Sequence, residues 1–337
     1  MMLQQPAAWL APTARYLGQA ADSLATARLS VLIFHRVLQQ PDPIFPGEVD
    51  AQRFDQLMDL MKRSFNVLTV GDAAARLKAG RLPARALAIT FDDGYADNAE
   101  IALPILQRHG LKASFFVATG FLDGGRMWND TVIETVRAAQ ATSFDLSGFG
   151  LGTVDIRSAD QRRQVIGSLL SKIKYLSLLE RQDGLQRLMA AAGVSELPGN
   201  LMMRSDQVQQ LHRAGMEIGG HTVNHPILRV LPDAQARSEI QQGKQTLESL
   251  IGAPVDVFAY PNGKPDQDYD QRHRDMVQAL GFKAALTTAP GVATAQSPHF
   301  ELPRFSPWDR SPTRWLGRLW AQRLSRQQHA RALTSTV

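Results

Sequence analysis

The chain of 337 residues contains no cysteine. This absence excludes disulfide bonds and thiolate metal sites, so any metal ion must be held by histidine and carboxylate ligands. No uncharged apolar stretch approaches the ~20 residues that a membrane-spanning helix needs. The first 27 residues have no continuous apolar core, because Gln, Pro, Arg and Asp interrupt them, and they do not predict a secretory signal peptide. We therefore expect a cytoplasmic or membrane-peripheral protein.

The composition is that of an ordinary globular protein with a modest excess of base. A net charge of +5, with 44% apolar and 20% charged residues, is an ordinary globular composition that can bury a full core. An excess of base this small does not by itself indicate a nucleic-acid partner. We predict none.

Short apolar runs alternate with amphipathic helical segments along the chain. Such alternation predicts a parallel sheet, either doubly wound or closed as a barrel. The seven candidate strands are Ser30–His35, Asn66–Val70, Ala86–Phe91, Ala113–Val117, Met216–Gly219, Asp256–Tyr260 and Lys283–Thr287.

The positions of the polar residues favour the barrel. His35, Asp92, Asp93, His221 and the turn Tyr260-Pro261-Asn262-Gly263 all lie at or just beyond the C-terminal ends of predicted strands. Barrel enzymes assemble their sites at that face, whereas an open sheet gathers ligands at one switch point. Five scattered strand ends therefore predict an α/β barrel.

One segment, about 124–203, interrupts this rhythm after the fourth strand. It contains helical patterns such as Gln161–Leu179, and we interpret it as a helical insertion that forms a lid or a wall of the substrate groove. The predicted organisation is an N-terminal extension (1–27), a barrel domain with the insertion (28–310) and a basic amphipathic tail (311–337).

The tail allows two interpretations. Apolar residues recur at helical spacing with arginines among them, and such a helix can lie on an anionic membrane. Alternatively, the apolar stripe docks on the domain, which we favour. The apolar residues are Trp315, Leu316, Leu319, Trp320 and Leu324.

Two acidic residues in tandem, Asp92 and Asp93, follow a buried-strand pattern and precede Gly94. Adjacent carboxylates repel each other, so a cation that keeps one ionised and leaves the other as a base would offset the cost. His221 and His225, four residues apart, supply further ligands. Two histidines with one aspartate make a three-ligand site that leaves a position open for water.

The segments Thr90-Phe91-Asp92-Asp93-Gly94-Tyr95 and His221-Thr222-Val223-Asn224-His225 together resemble the polysaccharide deacetylase family, also called carbohydrate esterase family 4 or the NodB-homology domain. The resemblance implies a distorted (β/α) barrel with about seven parallel strands. It makes Asp93, His221 and His225 ligands of a metal, usually Zn²⁺ with other divalent ions possible. It makes Asp92 the base that activates a zinc-bound water, and the backbone N–H of Tyr95 an oxyanion donor.

The chain departs from the family pattern twice. Ala259 stands where the family usually has the arginine that orients the base, and we predict that Arg304 replaces it. The C-terminal leucine-and-histidine motif that supplies the general acid is missing. Since Phe34-His35-Arg36 resembles a segment of exopolysaccharide deacetylases, including those that act on poly-N-acetylglucosamine, we assign His35 as the acid; a strand-capping structural role is the alternative.

Substrate contacts are expected from Trp128, Tyr260, Pro261 and Asn262, because aromatic and amide side chains suit sugar stacking and hydroxyl recognition. Three further histidines are predicted at helix ends or in solvent rather than as ligands: His109, His212 and His273.

The leading hypothesis is a metal-dependent hydrolase that removes N-acetyl groups from N-acetylhexosamine units of a polysaccharide or its oligosaccharide precursor. One alternative is a hydrolase of another amide or ester on the same scaffold. Another is a catalytically inactive carbohydrate-binding protein, although such a protein has no need of a base beside a metal.

Overall fold

The computed structural model describes residues 28–305, 309 and 311–324. The predicted N-terminal extension and the end of the predicted tail lie outside these residues, and the predicted domain limits stay a prediction.

A curved sheet of mostly parallel strands forms the centre of the molecule. Its strands are β1 Arg28–Phe34, β2 Asn66–Leu68, β3 Ala86–Phe91, β4 Ser114–Val117, β7 Glu217–Gly220, β8 Val257–Ala259, β9 Ala284–Pro290, β10 Ala293–Thr294 and β11 Leu302–Arg304. In spatial order β10, β1, β3, β4, β7, β8, β9 and β11 are hydrogen-bonded neighbours, and β2 also pairs with β3. Only the pairing of β1 with β10 is antiparallel within this sheet.

The two ends of the sheet approach each other, because the Phe305 N–H that follows β11 donates to Val31 O of β1 at 2.8 Å. The predicted α/β barrel is thus confirmed as a mostly parallel, nearly closed barrel. All seven predicted strands form. β11, which the sequence did not predict, joins them as an eighth parallel strand and carries Arg304.

Alternation along β3 decides which side chains point into the barrel. Ala86 and Ala88 pack with inward residues of the other strands, and the same period of two continues to Thr90 and Asp92. The opposite end of the barrel is covered by helix α2 (Val70–Lys78), whose Val70 N–H donates to Ser114 Oγ at 2.9 Å. Asp92 therefore lies at the open, C-terminal end.

Ten helices surround or extend this sheet in the described chain. They are α1 Ala51–Ser64, α2, α3 Leu103–His109, α4 Trp128–Ala138, α5 Ala159–Ile173, α6 Leu178–Ala191, α7 Ser205–Arg213, α8 Asp233–Ile251, α9 Gln271–Ala279 and α10 Pro312–Leu324. A π-helical turn, Asn98–Ala102, precedes α3.

The insertion after β4 has a hydrophobic core of its own, to which Val132, Ile166, Leu169 and Leu188 belong. It comprises α4, a hairpin of β5 (Ser143–Asp145) and β6 (Thr153–Asp155), then α5 and α6. A single helix over Gln161–Leu179 was the wrong prediction. The helix ends at Ile173, because Ser177 and Glu180 form a capping box that starts α6.

The tail helix α10 docks on the barrel domain. Trp315, Leu316 and Leu319 are buried in the main core, and Trp320 stacks on Phe65 with ring centroids 5.1 Å apart. Since most of the apolar stripe is covered by protein, the favoured prediction that the stripe docks on the domain is confirmed, and the alternative contact with an anionic membrane is not supported. In the part of the chain that the structure describes, no helix is long and apolar enough to cross a membrane.

Candidate active site

The Asp92-Asp93 pair lies on a tight turn after β3. Asp93 has a φ of +77° and Gly94 a φ of +93°, and a Cβ on Gly94 would lie 3.0 Å from Val117 Cγ1. Left-handed backbone at two successive residues turns the chain sharply, and a glycine adopts it without strain. The turn lets the two adjacent carboxylates bond to different partners.

Asp92 faces Arg304. The Arg304 Nη1 donates to Asp92 Oδ1 at 2.7 Å, while its Nε donates to Thr287 O at 3.0 Å. Burial by itself would raise the pKa of Asp92, but the charges of Arg304 and His221 outweigh it and lower that pKa. The carboxylate is therefore ionised at neutral pH.

Asp93 faces the two histidines. Its Oδ1 lies 3.4 Å from Nε2 of His221 and 3.4 Å from Nε2 of His225, and this buried oxygen accepts no hydrogen bond from a described residue. His221 Nδ1 lies 2.7 Å from Ala259 O. The Nδ1–H group of the neutral ring then donates to that carbonyl oxygen, which leaves the Nε2 lone pair facing Asp93.

The donor set of these three residues fits a cation. One ligand atom from each lies within 4.8 Å of the others, and an orphaned carboxylate oxygen between two imidazole nitrogens is what a divalent metal would satisfy. Burial and the nearby His221 lower the pKa of His225 to about 4, so that its ring is neutral and able to coordinate. Burial alone would lower the pKa of His221, but the adjacent negative charges of Asp93 and Asp92 raise it.

The histidine loop after β7 is held in unusual backbone conformations. Thr222 has a φ of +66° and His225 a φ of +50°, and each such residue costs of order 1–3 kcal/mol. The Thr222 Oγ1 accepts the His225 N–H at 3.1 Å. These backbone conformations make the loop compact and place the two histidines, four residues apart in the sequence, on one side of the site.

A cavity of about 510 Å³ opens above these residues. His35 lines it as an exposed side chain, together with Asp92, Asp93, His221 and His225. We call these five residues, with Arg304 behind Asp92, the strand-end wall. The structure therefore brings together the predicted metal ligands, the predicted base and the predicted acid.

The opposite side of the cavity is formed by the insertion and is called here the insertion wall. Its lining residues include Trp128, Asn129, Asp130, Ile133, Leu170 and Lys174. Only Trp128 among them was predicted to bind substrate. Asn129 and Asp130 follow it directly in the sequence, and their polar side chains could have indicated that they line the same cavity. Lys174 directly follows the end of α5 at Ile173, which the sequence did not predict, and nothing in the sequence around it indicated a place in the cavity.

Tyr95 joins the two walls. Its hydroxyl donates to Asp130 Oδ1 at 3.1 Å, and the Arg36 guanidinium lies 4.8 Å from its ring centroid. Burial and the charge of Asp93 raise the pKa of Asp130 to about 7. Tyr95 thus anchors the insertion one residue beyond the Asp93-Gly94 turn.

The turn after β8 is divided between the cavity and the core. Asn262 lines the cavity with a φ of +59°. Tyr260 and Pro261 are buried and do not line it. Tyr260 stacks on Tyr269 with centroids 3.8 Å apart, and its hydroxyl donates to Phe300 O. The predicted substrate contacts of Tyr260 and Pro261 are therefore not what the structure shows.

The remaining histidines of the described chain lie outside the site. His109 at the end of α3 pairs with Asp55. His273, predicted in solvent, is wholly buried: its Nε2 lies 3.1 Å from Leu228 O and its Nδ1 pairs with Asp270. The charged neighbours Arg272 and Arg274 made this segment look exposed in the sequence, although His273 lies on the inward face of α9.

Comparison with known proteins now decides the family. The sequence model of the family described as polysaccharide deacetylase matches residues 79–148 and 181–285, which is more than half of the chain and includes the Asp92-Asp93 turn and the histidine loop. The chain belongs to the polysaccharide deacetylase family. It is a deacetylase-type hydrolase of a family whose members are generally metal-dependent and whose substrates are acetylated glycans.

Individual relatives are distant in sequence. The chain is 20% identical over 279 residues to the Bacillus subtilis protein YxkH, named as a polysaccharide deacetylase, and covers 71% of that protein and 82% of itself. The Streptococcus pyogenes deacetylase PplD, solved in complex with acetate, has a TM-score of 0.59 at 19% identity, with 88% of this chain and 99% of that one covered. IcaB from Ammonifex degensii has a TM-score of 0.56 at 19% identity, with 89% and 98% covered. These structures share the fold of the polysaccharide deacetylase described here.

Proposed function

We propose that the protein removes N-acetyl groups from N-acetylhexosamine units of a polysaccharide or of its oligosaccharide precursor. The observation that carries the proposal is the division of the acidic pair: Asp92 is paired with Arg304, while Asp93 faces His221 and His225 beside the same cavity. Two carboxylates with different partners can perform two different tasks.

Asp93, His221 and His225 would hold the metal, with Zn²⁺ as the proposed ion. Such an ion lowers the pKa of a water molecule and polarises the acetyl carbonyl. Asp92 is ionised and takes a proton from the attacking water. Its buried pair with Arg304 keeps the carboxylate in one orientation, the task that the absent arginine at position 259 has elsewhere in the family.

Attack of water on the acetyl carbon forms a C–O bond, and the C–N bond then breaks. The backbone N–H of Tyr95 is proposed to stabilise the negative charge on the carbonyl oxygen. His35 donates a proton to the nitrogen as it leaves, so that the products are acetate and a free amine. Trp128 and Asn262 would contact the sugar from the two sides of the cavity.

The test is acetate release by the purified, zinc-loaded protein from a panel of N-acetylated oligosaccharides. Asp92→Asn and Asp93→Asn form a matched pair, because the same change is made one residue apart. We expect both variants to lose turnover, with zinc retained in Asp92→Asn and reduced in Asp93→Asn. Undiminished turnover in Asp92→Asn would refute its role as base, and full zinc occupancy in Asp93→Asn would refute the ligand assignment.

A further inference from the structure

A second cavity, of about 550 Å³, lies beside the active site. The two cavities share a partition. Lys174 lines the first and Tyr175 the second, and His225 lines the first while Pro226 lines the second. The partition therefore consists of the α5–α6 corner on one side and the histidine loop on the other.

The second cavity contains a buried cation. Arg181 on α6 lines it and is 5% exposed. Its Nη2 donates to Lys174 O at 3.0 Å and to Leu176 O at 3.4 Å. Within the described residues no carboxylate pairs with this guanidinium, and burial without an opposing charge lowers its pKa. A buried charge without a counter-ion is costly, which indicates that an anion completes the site.

A second cation stands at the partition. The Lys174 ammonium is half-buried, and in the described structure it has no carboxylate at ion-pair distance. The acidic group whose charge acts on it is Asp268. The nearby Glu180 carboxylate accepts the N–H and the hydroxyl of Ser177 in the capping box. Neither the Asp268 nor the Glu180 carboxylate forms an ion pair with the Arg181 guanidinium of the second cavity.

Most of the remaining lining of the second cavity is apolar, and Ser177 and Gln235 are its other polar residues. Leu176, Ile227, Val230 and Leu231 line it. At its rim Tyr175 is 47% and Val230 54% exposed, and both are among the few large apolar side chains that the described chain exposes. Apolar walls around one buried cation match a ligand with an anionic head and an apolar chain.

We propose that this cavity binds an anionic amphiphile, with a phosphate head on Arg181 and an apolar chain along Ile227, Val230 and Leu231. The site is distinct from the metal site and its binding does not depend on the deacetylase activity. A ligand bound in the second cavity would also affect the active site, because the Arg181 guanidinium lies 4.8 Å from the ring centroid of Trp128 in the insertion wall.

The experiment titrates the full chain by calorimetry with n-hexyl phosphate, inorganic phosphate and n-hexanol. Each buried methylene strengthens binding severalfold, so we expect n-hexyl phosphate to bind at least about tenfold more tightly than inorganic phosphate. Arg181→Met should weaken that binding by about tenfold or more, because a charged hydrogen-bond donor is lost. Arg187→Met is the matched control: Arg187 is on the same helix but exposed and paired with Asp183.

A second variant covers the case in which Arg181→Met does not fold. Val230→Asn changes an exposed rim residue and should weaken n-hexyl phosphate while leaving inorganic phosphate unchanged. Equal affinity for the two phosphates, or an affinity for n-hexanol equal to that for n-hexyl phosphate, would each overturn the proposal. Asp93→Asn, expected to lose deacetylation, should bind n-hexyl phosphate like the unchanged protein.

Trp128 supplies an optical readout, because a binding-induced change in its fluorescence should disappear in Trp128→Phe.

Discussion

The two walls of the active-site cavity are built in different ways. The strand-end wall gathers residues from β1, β3, the β7 loop and β11, which are far apart along the chain. Its Asp92, Asp93, His221 and Arg304 are almost fully buried. The insertion wall comes from one continuous segment, α4 to the α5–α6 corner, which has a core of its own. The proposed chemistry is thus assigned to side chains at the ends of the sheet strands, whereas the proposed substrate contacts come largely from a segment with a separate hydrophobic core.

The largest effect is expected from His35, the exposed member of the strand-end wall. His35→Gln should lower kcat by about 10²- to 10⁴-fold, because it removes the proposed acid, while the zinc content stays unchanged. Acetate release and metal analysis on the same preparation check this. His299→Gln, which alters a histidine outside the cavity, is the control and should leave kcat unchanged. Normal turnover in His35→Gln would place the acid elsewhere.

The buried pair in the strand-end wall gives the next largest effect. Arg304→Met leaves Asp92 buried without its cation, and removing one partner of such a pair costs about 3–5 kcal/mol of unfolding free energy. Arg304 also lowers the pKa of Asp92, so its loss should move the acidic limb of the pH–kcat profile to higher pH. Denaturant unfolding and the pH profile measure the two effects. An unmoved limb would mean that Arg304 has only a structural role.

The insertion wall predicts a smaller effect on a different parameter. Trp128→Ala should raise KM by about tenfold, the equivalent of losing one aromatic contact with a sugar, with kcat little changed. Steady-state acetate release separates the two parameters. A large loss of kcat with unchanged KM would contradict the division of labour between the walls.

The smallest effect concerns pH and the metal ligands. His221 has a raised pKa and must lose its proton before it binds a cation, whereas His225, with a pKa of about 4, does not compete. Zinc occupancy after dialysis against a limiting zinc buffer should therefore fall severalfold as the pH falls from about 8 to 6. Constant occupancy over this range would contradict the raised pKa of His221.

Local patterns predicted most of the barrel. Apolar runs identify buried parallel strands, because both faces are covered, and the seven predicted strands all form. β11 was missed, since Leu302-Pro303-Arg304 is too short and contains a proline. One helix was predicted over Gln161–Leu179, where the structure has two. The helical spacing of apolar residues continues through the segment, and the capping box at Ser177 is a weaker signal than that spacing. His273 was misplaced because its charged neighbours point outward from α9 while it points inward.

The sequence by itself determined the acidic pair, the two histidines and the strand ends that carry them, because each is a short motif whose spacing is set by local backbone geometry. Only the tertiary structure decided which partner each group meets. Arg304 lies 212 positions from Asp92, and their contact depends on the closure of β11 against β1. Likewise, the buried position of Arg181 depends on how the insertion packs, since burial is a property of the whole fold and not of a residue or its neighbours in the chain.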